Sequence, residues 1–176
     1  MQERRAAITF KGRPMTLVGR EVSIGQIGPD AVLVADDLSD RALSAYKGKV
    51  VIISAVPSLD TPVCDLQTRT FNQKVQGLGS DVIVLTISMD LPFAQRRWCG
   101  SSGLPGVLTL SDHRDAAFGL AYGVLIKELR LLARSVFVLD KPGIIRYIQI
   151  VPEVTDQPDY AAALKVASGL AGKGSG

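Results

Sequence analysis

The chain has 176 residues, 47% hydrophobic and 21% charged, which excludes a disordered chain and suits one globular domain spanning 1–176 with a core of about 8–170. Net charge is +3, from 20 basic and 17 acidic residues, and the pair Arg96-Arg97 and the group Lys127, Arg130 and Arg134 are too sparse for a nucleic-acid surface. No run approaches the roughly 18 apolar residues of a membrane span, and one histidine with two distant cysteines leaves a four-ligand zinc site short of donors. No nucleic-acid, membrane or metal partner is therefore expected. The opening MQERRAAITFKGRP lacks an apolar h-region, so no secretory signal is expected, and two cysteines without one point to a reducing cytoplasm.

In chain order, AITFK and MTLVG flank Gly12-Arg13-Pro14 and are predicted to pair as an N-terminal β-hairpin. VSIGQIGPDAVLVADDLSD is irregular, with loops expected around a strand at Ala31–Ala35. KVVIISAV is a continuous β-branched run suited to a central strand buried on both faces. A helix opening at TPVC and reaching about Gly77 follows, then DVIVLTIS as a second buried strand. PFAQRRWCG is predicted as a short helix ended by Gly100, VLTLSD as a strand and RDAAFGLAYG as another short helix.

SVFVLD and IIRYIQIV, joined by the turn Asp140-Lys141-Pro142-Gly143, make a second hairpin. The last helix begins after Gln157-Pro158, with Tyr160, Ala163, Leu164 and Ala167 at helical spacing, and the glycine-rich residues after Leu170 are expected to fray. Strand–helix alternation implies right-handed crossovers and a partly parallel sheet, to which the hairpin adds antiparallel strands. The expected fold class is α/β: a mixed sheet flanked by helices on both faces, with an N-terminal β-hairpin, a layout that resembles thioredoxin-like domains.

Cys64 stands between a strand-like and a helix-like run, just after Thr61-Pro62-Val63. Proline fixes φ at about −65° and lacks an N–H, so Pro62 suits the first helical position. It also pushes Thr61 into the extended backbone that an N-cap requires. Cys64 then falls third in the helix, where unpaired N–H groups and the positive dipole end favour an anion such as a thiolate. This helix start lies at the C-terminal end of a central strand, where α/β proteins gather their sites. The alternative is a buried cysteine serving as a small hydrophobe. Asp65 mildly favours that alternative, although its side chain should point about 100° away around the helix.

A helix start alone does not make a fast catalyst. Lowering a thiol's pKa from about 8.5 to about 6 raises its thiolate fraction at neutral pH roughly thirtyfold. A Brønsted slope of about 0.4–0.5 returns most of a factor of ten in nucleophilicity. Donors fixed around the oxygen under attack are also required.

Pro57, Thr61 and Cys64 in PSLDTPVC resemble the P-x-x-x-T-x-x-C motif of peroxiredoxins. VPSLDTPVCDLQTRTFN is similar, more narrowly, to the bacterial thiol peroxidase subfamily of atypical two-cysteine peroxiredoxins, as are SMDLPFAQRRWCG, LLARSVFVLDKPGII, GLAYGV and EVTDQPDYAAAL. The likeness runs from about Ile8 to Leu170. One departure is Gly28-Pro29-Asp30-Ala31, where many peroxiredoxins have an A-P-D-F-like segment; losing the aromatic is expected to change packing beside the site without touching the P-T-C constellation.

The resemblance implies a peroxidase that needs no haem, flavin or metal. Cys64 would be the peroxidatic thiolate, attacking peroxide and becoming a sulfenic acid. Arg134 would hold the thiolate and donate to the peroxide oxygens, Thr61 would cap the helix and bond the peroxide, and Pro57 would shield the pocket. Cys99 would be the resolving cysteine, closing an intramolecular disulfide that thioredoxin reduces, with local unwinding around both cysteines because a disulfide needs Cα atoms within about 7 Å. A homodimer is implied in the same way. Trp98 and Phe93 are expected as cover or interface residues, and His113 as structural or solvent-facing.

Three rival readings stand beside it. A general disulfide oxidoreductase lacks its C-x-x-C pair, since Thr61 occupies the position three before Cys64. A redox sensor fits the two cysteines equally well, and only rate and turnover separate it from an enzyme. A purely structural module leaves Thr61, Cys64, Cys99 and Arg134 unexplained together.

Overall fold

The computed structural model describes residues 1–172; of the tail expected to fray, 173–176 lie outside the described residues. The N-terminal hairpin pairs β1 (Glu3–Phe10) with β2 (Arg13–Val18), turning through Lys11 and Gly12, both at positive φ as a tight hairpin turn demands. The strand expected near Ala31–Ala35 is β3 (Val32–Val34), and it pairs with β4 (Asp40–Ala42), a short strand in a stretch read as loop. The central run forms β5 (Val50–Ala55), buried at every position. After it come α1 (Pro62–Val75), continued by one 3-10 turn to Leu78, and β6 (Val82–Ser88).

Next is α2 (Pro92–Ser102), which passes Gly100 and stops at Gly103. Gly103, with φ 71°, supplies the left-handed cap that the sequence reading assigned to Gly100, which stays helical. There follow β7 (Leu108–Ser111), α3 (Ala117–Ala121), the two-residue strands β8 (Leu125–Ile126) and β9 (Leu131–Leu132), the hairpin β10 (Ser135–Leu139) and β11 (Ile145–Ile150), and α4 (Tyr160–Ala171). Asp159 caps α4 by accepting the Ala162 N–H at 3.0 Å.

Seven strands make the main sheet in the order β11-β10-β5-β6-β7-β3-β4. β5, β6 and β7 run parallel, and the other pairings are antiparallel, so the expected mixed sheet is the one observed. A second sheet, β1-β2-β8-β9, extends the N-terminal hairpin.

Side chains alternate along β5 and divide the core. Val51, Ile53 and Ala55 join the larger cluster with Leu17, Phe118, Tyr122 and Phe137. Val50 and Ile52 face the other way, onto Phe71 of α1 and Ala163 and Ala167 of α4. On that second face, Ser54 receives a hydrogen bond from Gln67 of α1. Beyond the C-terminal end of β5 a third cluster holds Val56, Leu59, Cys64 and Trp98, with Cys99 packed against it. The fold thus delivers both cysteines to one neighbourhood.

Candidate active site

The helix start forms as its residues dictate. Pro62 opens α1, Thr61 is extended at φ −100° and ψ 145°, and its Oγ1 accepts the Cys64 N–H at 3.4 Å. The Thr61 hydroxyl donates to the Ser58 carbonyl at 3.2 Å, and Cys64 is fully buried. Pro57 is buried in the loop that leads from β5 to α1. Asp90, just after β6, holds this loop: its carboxylate accepts the Ser58 hydroxyl at 2.7 Å, the Leu59 N–H at 2.8 Å and the Ser88 hydroxyl at 2.7 Å.

Arg134, immediately before β10, reaches the sulfur from the sheet. It is only 2% exposed, and each guanidinium nitrogen has its own acceptor. Nη2 lies 3.3 Å from Cys64 Sγ, Nη1 donates to Gln67 Oε1 at 2.7 Å, and Nε donates to the Val154 carbonyl at 2.7 Å. Gln67 is fixed in turn by its amide donating to Ser54 Oγ at 2.8 Å. Among the described residues, no carboxylate lies within ion-pair distance of Arg134. A buried cation is costly without a counter-charge. The sulfur is the neighbour that can provide one.

Cys99 sits on α2 with its Sγ 3.7 Å from Thr109 Oγ1 of β7. Burial pushes its thiol up from the ordinary value, partly offset by the Thr109 hydroxyl. Both cysteines are free thiols, each with a different partner. Their helices are tied through Asp65. Its carboxylate accepts Trp98 Nε1–H at 2.8 Å and Arg69 Nε–H at 2.9 Å, while Arg69 Nη1 reaches the Ser102 carbonyl at 2.8 Å.

Of the remaining residues singled out from sequence, Trp98 is buried, Phe93 is 64% exposed, and His113 Nδ1 lies 2.9 Å from Ser111 Oγ. Ala31 packs in the larger cluster with Leu33 and Phe137, whereas Cys64 belongs to the third cluster. No helix is long and apolar enough to cross a membrane, and no group of three or more His, Cys, Asp or Glu could hold a metal ion, among the described residues.

The redoxin family profile matches residues 24–164. The chain belongs to the redoxin family. Within it, the chain is 56% identical over 165 residues to the thiol peroxidase of Bacillus subtilis, covering 94% of this chain and 98% of the relative. It is 55% identical over 160 residues to that of Listeria innocua, covering 91% and 96%. These relatives place it among the bacterial thiol peroxidases. A crystal structure of a peroxiredoxin-like protein from Aquifex aeolicus superposes with a TM-score of 0.87 at 42% identity, over 94% of this chain and 98% of that one. A thiol peroxidase from Chromobacterium violaceum shares the fold, with a TM-score of 0.82 at 22% identity, over 90% and 94% of the two chains.

As a redoxin, the chain brings Thr61, Cys64 and Arg134 together directly, with Pro57 in the adjoining loop. Cys99 stays one helix away. Gln67, Asp90 and the Val154 carbonyl were missed in sequence. Gln67 alone carried a signal, since three residues past Cys64 it shares that face of α1.

Proposed function

We propose that the chain is a thiol-dependent peroxidase that reduces hydrogen peroxide and organic hydroperoxides to water or alcohols, acting as an antioxidant in the cytoplasm. The observation that carries this reading is the Arg134 guanidinium, buried with no carboxylate within ion-pair distance among the described residues, 3.3 Å from Cys64 Sγ. The Cys64 thiolate attacks the distal peroxide oxygen and the O–O bond breaks. The sulfur bonds that oxygen and becomes a sulfenic acid, and the departing alkoxide or hydroxide takes a proton from solvent. Arg134 stabilises negative charge on sulfur and on the departing oxygen, and its fork suits both.

Thr61 Oγ1 and the Cys64 N–H now bond each other at a long 3.4 Å, a pair that an entering peroxide oxygen can divide. Buried Pro57 keeps water from the sulfur. Cys99 then attacks Cys64 Sγ, expelling the sulfenic oxygen as water and closing a Cys64–Cys99 disulfide. Since each sulfur now has its own partner, this step requires the first turn of α1 and part of α2 to unwind. Reduced thioredoxin supplies two electrons and two protons to restore both thiols. The chain acts as one domain and pairs as a homodimer.

The test is steady-state peroxide consumption with reduced thioredoxin as donor. Wild type turns over repeatedly, Cys64→Ser does not, and Cys99→Ser consumes one equivalent and stalls as sulfenic acid. Appreciable turnover by Cys64→Ser, or a normal disulfide cycle in Cys99→Ser, overturns the assignment.

A further inference from the structure

A cavity of about 420 Å³ opens on the sheet face away from α1, beneath the segment 26–30 and the turn after β4. Its volume falls within the roughly 300–1,000 Å³ typical of small-ligand sites. Its floor is Val51 and Ile53 of β5, Leu85 of β6 and Leu139 of β10. These residues belong to the larger core cluster, whereas Cys64 packs in the third. None of the residues of the Cys64 site lines the cavity.

Two features distinguish it from a packing defect. The first is Tyr122, which lines the cavity while only 1% exposed, with a hydroxyl that has no partner among the described residues. Such a buried donor is rarely left unmatched. Burial, reinforced by the charge of Asp30, pushes the phenol up, so it remains protonated and able to donate.

The second is the charge at the mouth. Both acidic residues there are already committed: Asp30 accepts the Ala31 and Ser44 N–H groups, and Asp140 accepts the Ile144 N–H and pairs with Arg146. Lys49 is shared with Asp81 and the Ser80 carbonyl. Arg20 and Lys47 line the same cavity, are exposed, and have no carboxylate within ion-pair distance among the described residues. An apolar floor, one internal donor and two rim cations without an ion-pair contact, Lys47 being also within the field of Asp30, describe the complement of an amphipathic anion.

We propose that this cavity is a binding site for a medium-chain carboxylate, its chain against Val51, Ile53, Leu85 and Leu139 and its head drawn to Arg20 and Lys47. The carboxylate, the only group on such a ligand that carries oxygen, also takes the Tyr122 hydroxyl. The site is separate from the sulfur chemistry and requires neither cysteine. Gly28 keeps it open, because a Cβ there would stand 2.8 Å from both the Tyr122 hydroxyl oxygen and Leu139 Cδ2.

The test is calorimetric titration of the reduced protein with sodium decanoate below its micelle concentration, with the decyltrimethylammonium cation as the control of equal chain length. One saturable site is expected, with the cation at least about tenfold weaker. Tyr122→Phe should weaken decanoate about fivefold or less, and the rim variant Arg20→Glu/Lys47→Glu about tenfold or more. Cys64→Ser should leave it unchanged. Absence of saturable binding, equal affinity for the cation, or an unchanged affinity in the rim variant overturns the proposal. The rim substitutions are on exposed side chains, so that arm stands even if Tyr122→Phe perturbs folding.

Discussion

Trp98 Nε1–H donates to the Asp65 carboxylate at 2.8 Å, and this bond joins the helix that carries Cys64 to the helix that carries Cys99. The same carboxylate holds Arg69, whose guanidinium carbon lies 5.6 Å from the Trp98 ring centroid and whose Nη1 caps the Ser102 carbonyl near the end of α2. In the proposed cycle, closing the Cys64–Cys99 disulfide is expected to loosen this clasp. Trp98→Phe keeps the apolar bulk and removes the donor. Its expected result is disulfide closure several-fold faster after sulfenic acid forms, with the first oxidation changed less than about twofold. Quenched-flow mass spectrometry separates the two steps, and an unchanged closure rate would show that the clasp does not limit it.

Arg134 is the residue on which turnover should depend most after Cys64. Losing one preorganised donor at a developing oxyanion typically costs about 10²–10³ in rate, so Arg134→Met should lower kcat/KM for peroxide by that order. Arg134→Lys should rescue little, because one ammonium cannot span Cys64 Sγ, Gln67 Oε1 and the Val154 carbonyl as the fork does. Gln67→Ala, which only frees the guanidinium to move, should cost roughly tenfold. Initial rates across peroxide concentrations check all three.

Thr61 has a structural duty that can be measured without peroxide. Thr61→Val removes the cap on the Cys64 N–H and should cost about 1 kcal/mol, lowering the Tm by about 2–4 °C. Thr61→Ser should keep both the cap and most of the activity. Thermal unfolding of the reduced proteins, followed by circular dichroism, distinguishes them.

Burial pushes the Cys99 thiol up, so at neutral pH it is protonated and its thiolate fraction grows with pH. The closure step should therefore accelerate about tenfold per pH unit between roughly pH 6 and 8. Single-turnover rates of disulfide formation give the slope. A flat profile would mean that unwinding, rather than thiolate supply, sets the pace.

The helix start at Cys64 was legible in sequence because its causes are local. A proline that fixes φ, a threonine that caps and a cysteine three positions beyond the cap need no tertiary information. Arg134 was legible only through the family likeness, since residues 134 and 64 meet through strand order, which composition and periodicity do not encode. The anchors at Asp90 and Val154 were missed for the same reason, whereas Gln67, one turn past Cys64 on α1, carried a local signal that was not used. β8 and β9 are two residues each and β4 three, too short for any period to emerge. The end of α2 was misplaced because Gly100 was read as the stop, whereas it stays helical and Gly103 ends the helix. Only the one at positive φ is a cap.

The central claim is that Cys64 is a preorganised nucleophile. The measurement that tests it most directly is stopped-flow fluorescence of Trp98, the single tryptophan, after mixing reduced protein with one equivalent of hydrogen peroxide. A rapid, peroxide-dependent change is expected in wild type, absent in Cys64→Ser and lacking its closure phase in Cys99→Ser. A wild-type change no faster than oxidation of free cysteine, or one that survives in Cys64→Ser, would contradict the account.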